Sequence, residues 1–496
     1  MRRWLIGLAK ALGLMLGAAV LAFTALLWWP IADPPTPQRH DATLFDGAQI
    51  VDVARGTLTE PQQILVQRGR ITDMAPRLAA LPPRTRRINA RGRFLMPGLW
   101  DMHSHSWQVS PQLHLPLQLA SGVTTVRDMM GCPEASDPLL ACHADKARWS
   151  AEAVAGSRAG PRFVGDASFF YDDAALSPAA VAARVAADKA SGATLLKVYN
   201  RLSLPAYRAL TDAGRQAGMP VVGHLPKAVP LAEAVAAGQR SFEHGRIFIE
   251  GCFAGAADWR AGKLDSLPRP QLLRRMLANR DAAGCAGTMA AMASMGAAFV
   301  PTLVTREEDA RAHEAAFMND ARLALADPLS RWAYRDDAAG TTQLYASAAD
   351  RTLLAAALKQ AQADTQAAYR AGVPVLVGSD TIIAGPRLHD EMALLVAAGL
   401  TPAEVLRAAT LDAARFMGLA DDHGSVAVGK RADLVLLTAN PLADIRMTRR
   451  IEGVMLNGHW HDPRALTAYV RGQAGHWGNM ARMIWGFVTS LASATL

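Results

Sequence analysis

From Trp4 to Trp29 the chain is almost continuously apolar, interrupted only by Lys10 and a few small residues. A run of about 20 apolar residues is long enough to cross a bilayer as a helix. Arg2, Arg3 and Lys10 favour leaving the N-terminus in the cytoplasm, with Trp28 and Trp29 at the far interface. The run is long for a signal peptide and has no clear small-x-small cleavage site before Asp33. Residues 1–32 therefore predict a transmembrane anchor, the alternative being a signal segment that is cleaved so that the protein is secreted. Both readings place the rest of the chain on the periplasmic or extracellular side. PIADPPTP, from Pro30 to Pro37, predicts a stiff extended linker that reaches residue 40.

Beyond the linker the pattern shortens. Residues 41–92 carry short apolar runs separated by turn signals at Asp46-Gly47 and Arg68-Gly69-Arg70, and helical periodicity is weak. Similar runs return at 421–462, in GSVAVGK, ADLVLL and IEGVMLNG. The two segments predict one small β-sandwich domain built from both ends of the chain. Between them, over 93–420, apolar strand-like runs alternate with helical periodicity, which marks a parallel sheet covered by helices. The runs are FLMPGLWDM, VTTVRDM, RFVGDAS, TLLKVYN, PVVGH, SFEHG, AAFVPTLV and VPVLVGSD. Eight such units predict the α/β class and a (β/α)8 TIM-like barrel. Ser177-Pro178 and Thr401-Pro402-Ala403-Glu404 carry helix-start signals. Residues 305–370 break the rhythm and predict two or three inserted helices, forming either a cover over the site or a thicker outer layer. The tail, 463–496, ends in an apolar stretch that predicts an amphipathic helix on the bilayer or on the body of the protein.

Composition adds exclusions. The formal net charge is +8, but Arg and Lys are scattered, and no basic block with interleaved aromatics appears. Nucleic acid is therefore not an expected partner. Export permits disulfides. The four cysteines allow three pairings, of which Cys132–Cys142 and Cys252–Cys285 are expected because each pair brackets a short segment.

The candidate chemistry lies at the ends of the predicted strands. His103 and His105, spaced i and i+2, share one face of a strand. Lys197 in LLKVYN, His224 in VVGHLP, His244 in FEHG and Asp380 in LVGSD follow in order. The C-terminal strand ends of a (β/α) barrel form its active face, so these six side chains would converge. A single strand-end histidine is more often structural than a ligand. Lys197 is different, because a buried ammonium needs an anion or must lose its charge.

The order HxH, Lys, His, His, Asp, with a β domain split between the chain ends, resembles the metal-dependent amidohydrolase superfamily, in its imidazolonepropionase-like and Xaa-Pro dipeptidase-like branch. PGLWDMHSH, GVTTVRDM, LRAATLDAARFMGL and GSVAVGKRADLVLL carry the resemblance further, over about residues 41–460. The resemblance implies two divalent metal ions, for which zinc suits the ligand set best. His103, His105 and Asp380 would hold one ion and His224 and His244 the other. N6-carboxylated Lys197 and a water or hydroxide would bridge them. Hydroxide activated by the metals would attack the substrate carbonyl, with Asp380 as general acid and base. Tyr199, two residues beyond Lys197, would face the site and donate to the oxyanion or to a substrate carboxylate. Arg127 would pair with an anionic substrate group or with Asp128, and His389 would line the mouth or cap a helix.

The expected protein is thus a membrane-anchored, binuclear metal-dependent hydrolase. Its expected substrate is the amide bond of a dipeptide, an N-acyl amino acid or a related carboxamide. It has a small-molecule substrate and the membrane as partners, and a homo-oligomeric state is left open. A lactonase or phosphoesterase on the same scaffold is the rival enzyme, and a non-catalytic, membrane-tethered binding protein the rival of another class. Lys197 argues against a deaminase, because deaminases of this superfamily commonly use one metal and lack that lysine.

Overall fold

Gly98 divides the first run of the expected barrel in two. Before it, Phe94–Pro97 pairs antiparallel with Leu434–Leu437 and parallel with Ala42–Asp52. After it, Leu99–Ser104 pairs parallel with Val123–Asp128. A β-carbon at position 98 would come within 2.0 Å of the Thr124 hydroxyl, so the chain passes from one sheet to the other where only glycine fits. This computed structural model describes residues 2–38, 40–108, 110–133, 137 and 139–494.

The first sheet has nine strands drawn from both chain ends. Its order is His459–His461, Ile451–Leu456, Leu434–Leu437, Phe94–Pro97, Ala42–Asp52, Gln62–Gln67 and Arg70–Ala75. Thr57–Leu58 and Arg86–Asn89 also pair with the long strand Ala42–Asp52. Alternate residues, among them Phe45, Ile50, Ile64, Val66, Leu434 and Leu436, gather in one core, as the two-residue strand period requires. Two expectations change here. Phe94–Pro97 belongs to this sheet rather than to the barrel. GSVAVGK is not a strand: Val428 is exposed, and only the end of the segment bonds to Ile71.

The remaining strands run in parallel around a second core. Leu99–Ser104, Val123–Asp128 and Arg162–Asp166 form one sheet. Leu196–Val198, Val221–Gly223, Ser241–Glu243 and Ala298–Val300 form another. Parallel bridges Ala167–Leu195 and Tyr171–Val198 join the two. The eighth run, 373–380, lacks a regular ladder but contacts both neighbours. It makes a bridge from Val375 to Phe299 on one side. On the other, Met102 N donates to Val377 O (2.9 Å) and Asp380 N to His103 O (2.8 Å). The arrangement is TIM-like, and Leu196, Val198, Phe242, Phe299, Val375 and Val377 sit in its main core.

The inserted region contains more elements than expected. Leu303–Arg311 and Ala315–Met318 are helices, a 3-10 turn covers Ala321–Leu325, and long helices span Pro328–Leu344 and Ala348–Arg370. The last buries Ala361 and Ala368 in the main core, so it belongs to the outer helix layer. Both expected disulfides, Cys132–Cys142 and Cys252–Cys285, are present. At the N-terminus, Arg2–Leu27 is one helix, and its segment Lys10–Leu27 lies outside the body of the protein. Among the described residues it alone is long and apolar enough to cross a membrane. The extended linker ends in an antiparallel bridge between Gln38 and Trp460.

Candidate metal centre

The strand ends bring all six expected side chains into one contact network. His105 Nε2 lies 3.0 Å and His103 Nε2 3.6 Å from Asp380 Oδ1. The other Asp380 oxygen lies 3.5 Å from His244 Nδ1. His244 Nε2 meets His224 Nε2 at 2.8 Å, and Lys197 Nζ lies 3.5 Å from His103 Nε2. Local backbone geometry turns these groups inward. His244, Thr302 and Asp380 have φ values of 72°, 42° and 45°, in the left-handed region that non-glycine residues rarely adopt. Glu243 and His244 are adjacent and would point to opposite faces of a regular strand. The turn at His244 lets both serve the same centre. Gly223 allows a close approach: a β-carbon there would sit 2.4 Å from Val198 O.

The electrostatics follow from burial. Desolvation, with neighbouring charge, holds His224 and His244 well below the ordinary imidazole range and His103 at about 4, so all three rings are neutral. Burial would raise Asp380, but His103 and the hydrogen bond from His105 outweigh it and keep the carboxylate ionised. Lys197 is buried and makes no ion pair among the described residues. Burial pushes its amine down to about 8.

A profile of the amidohydrolase family matches residues 94–461. The chain belongs to the amidohydrolase family. Over 125 residues it is 32% identical to ochratoxinase of Aspergillus niger, a match that spans 24% of each chain. Among solved structures it resembles bottromycin amidohydrolase, with 26% identity, a TM-score of 0.66, and coverage of 92% of this chain and 93% of the other. It also resembles a Xaa-Pro dipeptidase (18% identity, TM-score 0.60, 85% and 100% covered) and the crystal structure of A. niger ochratoxinase (17%, 0.57, 85% and 96%). The family is named for hydrolysis of carbon–nitrogen bonds, and the chain spans about a quarter of the length of the curated relatives it matches. Metal dependence is implied by the family.

The donor set of this amidohydrolase fits a divalent cation. His103, His105 and Asp380 each offer a ligand atom, and these atoms all lie within 4.8 Å of one another. Three of the four histidines have their Nδ1 atoms engaged away from the centre. His103 Nδ1 bonds to Glu243 (3.0 Å), His224 Nδ1 to Asn200 Oδ1 (2.8 Å) and His244 Nδ1 to Thr302 Oγ1 (2.9 Å). The Glu243 carboxylate can only accept, so it fixes a proton on His103 Nδ1 and turns that ring's Nε2 lone pair inward, as metal ligation requires.

Three of these partners, Glu243, Asn200 and Thr302, escape the motif reading. So does Asp101, whose carboxylate accepts from His103 N (3.1 Å) and Ser379 N (2.9 Å) and so ties the first strand end to the eighth. A polar residue beside each histidine motif, as in FEHG and KVYN, is the signal that could have found them. Tyr199 lies at the site: its ring packs on His224 with centroids 3.9 Å apart and stacks on Phe170. Two expected substrate residues do not reach the site. Arg127 is fully buried, donating to Met102 O (2.6 Å), Ser241 Oγ (2.9 Å) and Glu243 Oε1 (2.9 Å). Its partner is therefore Glu243, neither substrate nor Asp128. His389 is buried in the helix Leu388–Ala397, with its nitrogens engaged by Thr448 Oγ1 and Ser121 O. It does not line the mouth; Ser121 is the C-cap residue of the helix Pro111–Ala120, so the expected capping role is the one His389 fills.

Proposed function

We propose that this amidohydrolase is a binuclear, metal-dependent hydrolase that cleaves the amide bond of a dipeptide, an N-acyl amino acid or a related carboxamide. The observation that carries the reading is Lys197, buried without an ion pair beside two clusters of neutral imidazoles and one carboxylate. His103, His105 and Asp380 would hold one ion, His224 and His244 the second, and carboxylated Lys197 both, zinc being the metal the donor set suits best. When bound, two divalent ions supply the Lewis acidity that makes a water nucleophilic near neutral pH and polarises a carbonyl.

The protein's own groups do the rest. The Lys197 amine, its pKa lowered by burial, adds its lone pair to carbon dioxide, forms an N–C bond and releases a proton. The product is an anionic oxygen donor where an ammonium would repel cations. The Asp380 carboxylate takes a proton from the attacking water and delivers it to the departing amine nitrogen as the C–N bond breaks. Tyr199, packed on His224, donates its hydroxyl to the carbonyl oxygen or to a substrate carboxylate. Arg246 donates to Asn200 Oδ1 (2.9 Å) and also lines a cavity of about 850 Å³ with Lys227, Trp259, Leu264 and Leu272. That cavity offers apolar wall for an acyl group or side chain, and its charged lining is mixed, with Lys227 paired to Asp265. The amide-hydrolysing relatives favour the same bond. We further infer that the N-terminal helix is retained as an anchor, with the hydrolase outside the cytoplasm. Two disulfides and an apolar leading helix fit an exported protein.

The test is a hydrolysis panel of N-acyl amino acids, dipeptides and lactones on zinc-replete enzyme, with metal counted per chain. Amides should be preferred and the count should approach two. His103→Ala, His244→Ala and Asp380→Asn should each lower kcat/KM by about a thousandfold or more while circular dichroism stays unchanged. A lactone preference, or full activity in Asp380→Asn, overturns the reading.

A further inference from the structure

The C-terminal helix, Trp477–Ala494, begins on the body of the protein and packs against the N-terminal helix Arg2–Leu27. Its first turns are held to the barrel. Asn479 is buried, accepts from Gln112 Nε2 (3.1 Å) and donates to Gln473 O (2.9 Å), while Ala481 and Met483 are buried too. The same turns grip the end of the N-terminal helix. Arg482 Nε donates to Leu27 O (3.0 Å) and its Nη2 to Trp29 O (2.8 Å). Those carbonyls lie at and just beyond a helix C-terminus, where backbone acceptors lack intrahelical partners, and a guanidinium both satisfies them and suits the negative end of the helix dipole. Trp29 also packs edge-on against His476, and its β-carbon lies close to Gly478. The start of the C-terminal helix is thus fixed at the level where the apolar N-terminal helix ends.

Past that junction the helix leaves apolar surface uncovered. Trp477, Ile484, Trp485 and Val488 are between 49% and 67% exposed. They lie seven, eight and eleven residues apart from the first, a spacing that makes one stripe along a helix of 3.6 residues per turn. After Arg482 the helix contains no charged residue. Trp28 and Trp29, also exposed, stand at the same level. Tryptophan is the side chain that the membrane–water interface favours, with its ring in the acyl boundary and its N–H wet.

We propose that the stripe Trp477, Ile484, Trp485 and Val488 lies in the outer bilayer interface, beside the point where the N-terminal helix emerges, so that the hydrolase is seated on the membrane by two elements rather than swung from one. The proposal rests on the anchoring of Arg2–Leu27 proposed above. What commits it to lipid is continuity: Arg482 clamps the stripe to the end of a bilayer-length apolar helix, so whatever surface receives that helix is the surface nearest the stripe. Seating by two signals also converts weak, reversible interfacial binding into stable attachment.

The test uses the full chain with a specific protease site inserted between Asp33 and Pro34, in membranes from the expressing cells. After the cut, the body should stay on the membranes through its C-terminal helix. The same chain carrying Ile484→Glu and Val488→Glu should, after the cut, release roughly tenfold more body into the supernatant, the loss expected from two apolar side chains withdrawn from the interface. Both released and retained bodies should hydrolyse substrate equally, which shows that the variant is folded. Complete release of the native tail after cutting overturns the proposal. Release as a dimer that the two glutamates dissociate also overturns it, because the stripe would then be a self-association face. If the uncut protein is soluble, the anchoring reading of Arg2–Leu27 fails instead. Flotation of that protein with phosphatidylcholine–phosphatidylglycerol vesicles then decides the stripe, and an absence of flotation sinks it.

Discussion

Glu243 is the residue on which the first histidine depends. Its carboxylate is buried, and although burial alone would raise its pKa, Arg127 and His103 outweigh that and hold it ionised. Being ionised, it accepts from His103 Nδ1 and fixes which nitrogen of that ring faces the centre. Glu243→Gln keeps the shape, removes the charge and makes the ring tautomer ambiguous. Divalent-metal affinity should fall by about 10- to 100-fold, measured by competition with a chelator, with the apo-protein's circular dichroism unchanged. Unaltered affinity would show that the His103–Glu243 contact is structural only. The six central side chains were legible because each ends a recognisable strand. Their partners were not, because pairing in a buried network depends on distance in space. Arg127 has an acidic neighbour at 128, yet its guanidinium reaches a carboxylate 116 residues away. His389 looked like a mouth residue because it follows the last strand. The helix that carries it turns the ring toward Thr448 instead.

Among the elements, the periodic ones read well and the interrupted ones did not. Ser177 and Thr401 cap their helices as their motifs indicate, Thr401 and Glu404 in a full reciprocal box. Phe94–Ser104 reads as one apolar run because nothing local reports that Thr124 leaves no room for a side chain at position 98. GSVAVGK alternates like a strand, but no partner strand lies along its length. The cysteine pairs were legible from spacing, and the second has a mechanical role. Cys252–Cys285 ties the turn after Ile247–Gly251 to the helix Ala282–Met295, closing a loop over a sequence separation of 33 residues. The chain-entropy account gives such a link about 3–4 kcal/mol. Cys252→Ser with Cys285→Ser should lower the urea unfolding free energy by roughly that amount. No metal-centre residue lies in the loop, although Trp259, Leu264 and Leu272 of the proposed acyl cavity do, so kcat in the absence of denaturant should stay within about twofold of the native enzyme and any larger change should fall on KM. A loss of activity without a loss of stability would contradict this division of labour.

Seen whole, the molecule places its chemistry where distant parts of the chain meet, and this couples metal content to global stability. Residues from 103 to 380 contribute to one centre, in which neutral imidazoles meet each other and the buried Lys197 nitrogen meets one of them. A metal binds the folded arrangement and not the dispersed chain, so it stabilises by mass action, by about 4 kcal/mol at a thousandfold excess over Kd. The effect should reach the β sheet as well. Phe94–Pro97 runs directly into the strand that carries His103 and His105, Gly98 N donates to Asp433 O (2.8 Å), and Arg162 pairs with Asp433 at 3.4 Å. Trp100 N likewise donates to Ala409 O (2.8 Å), which locks the first strand end to the last helices. With the two cores joined through such short, buried links, chelation should lower the whole melting transition together, and zinc should restore it. Calorimetry decides this directly. A transition that splits on chelation, with the β sheet melting at its original temperature, would mean that the two cores unfold independently. A transition that chelator leaves in place would mean that the centre does not depend on metal for its stability.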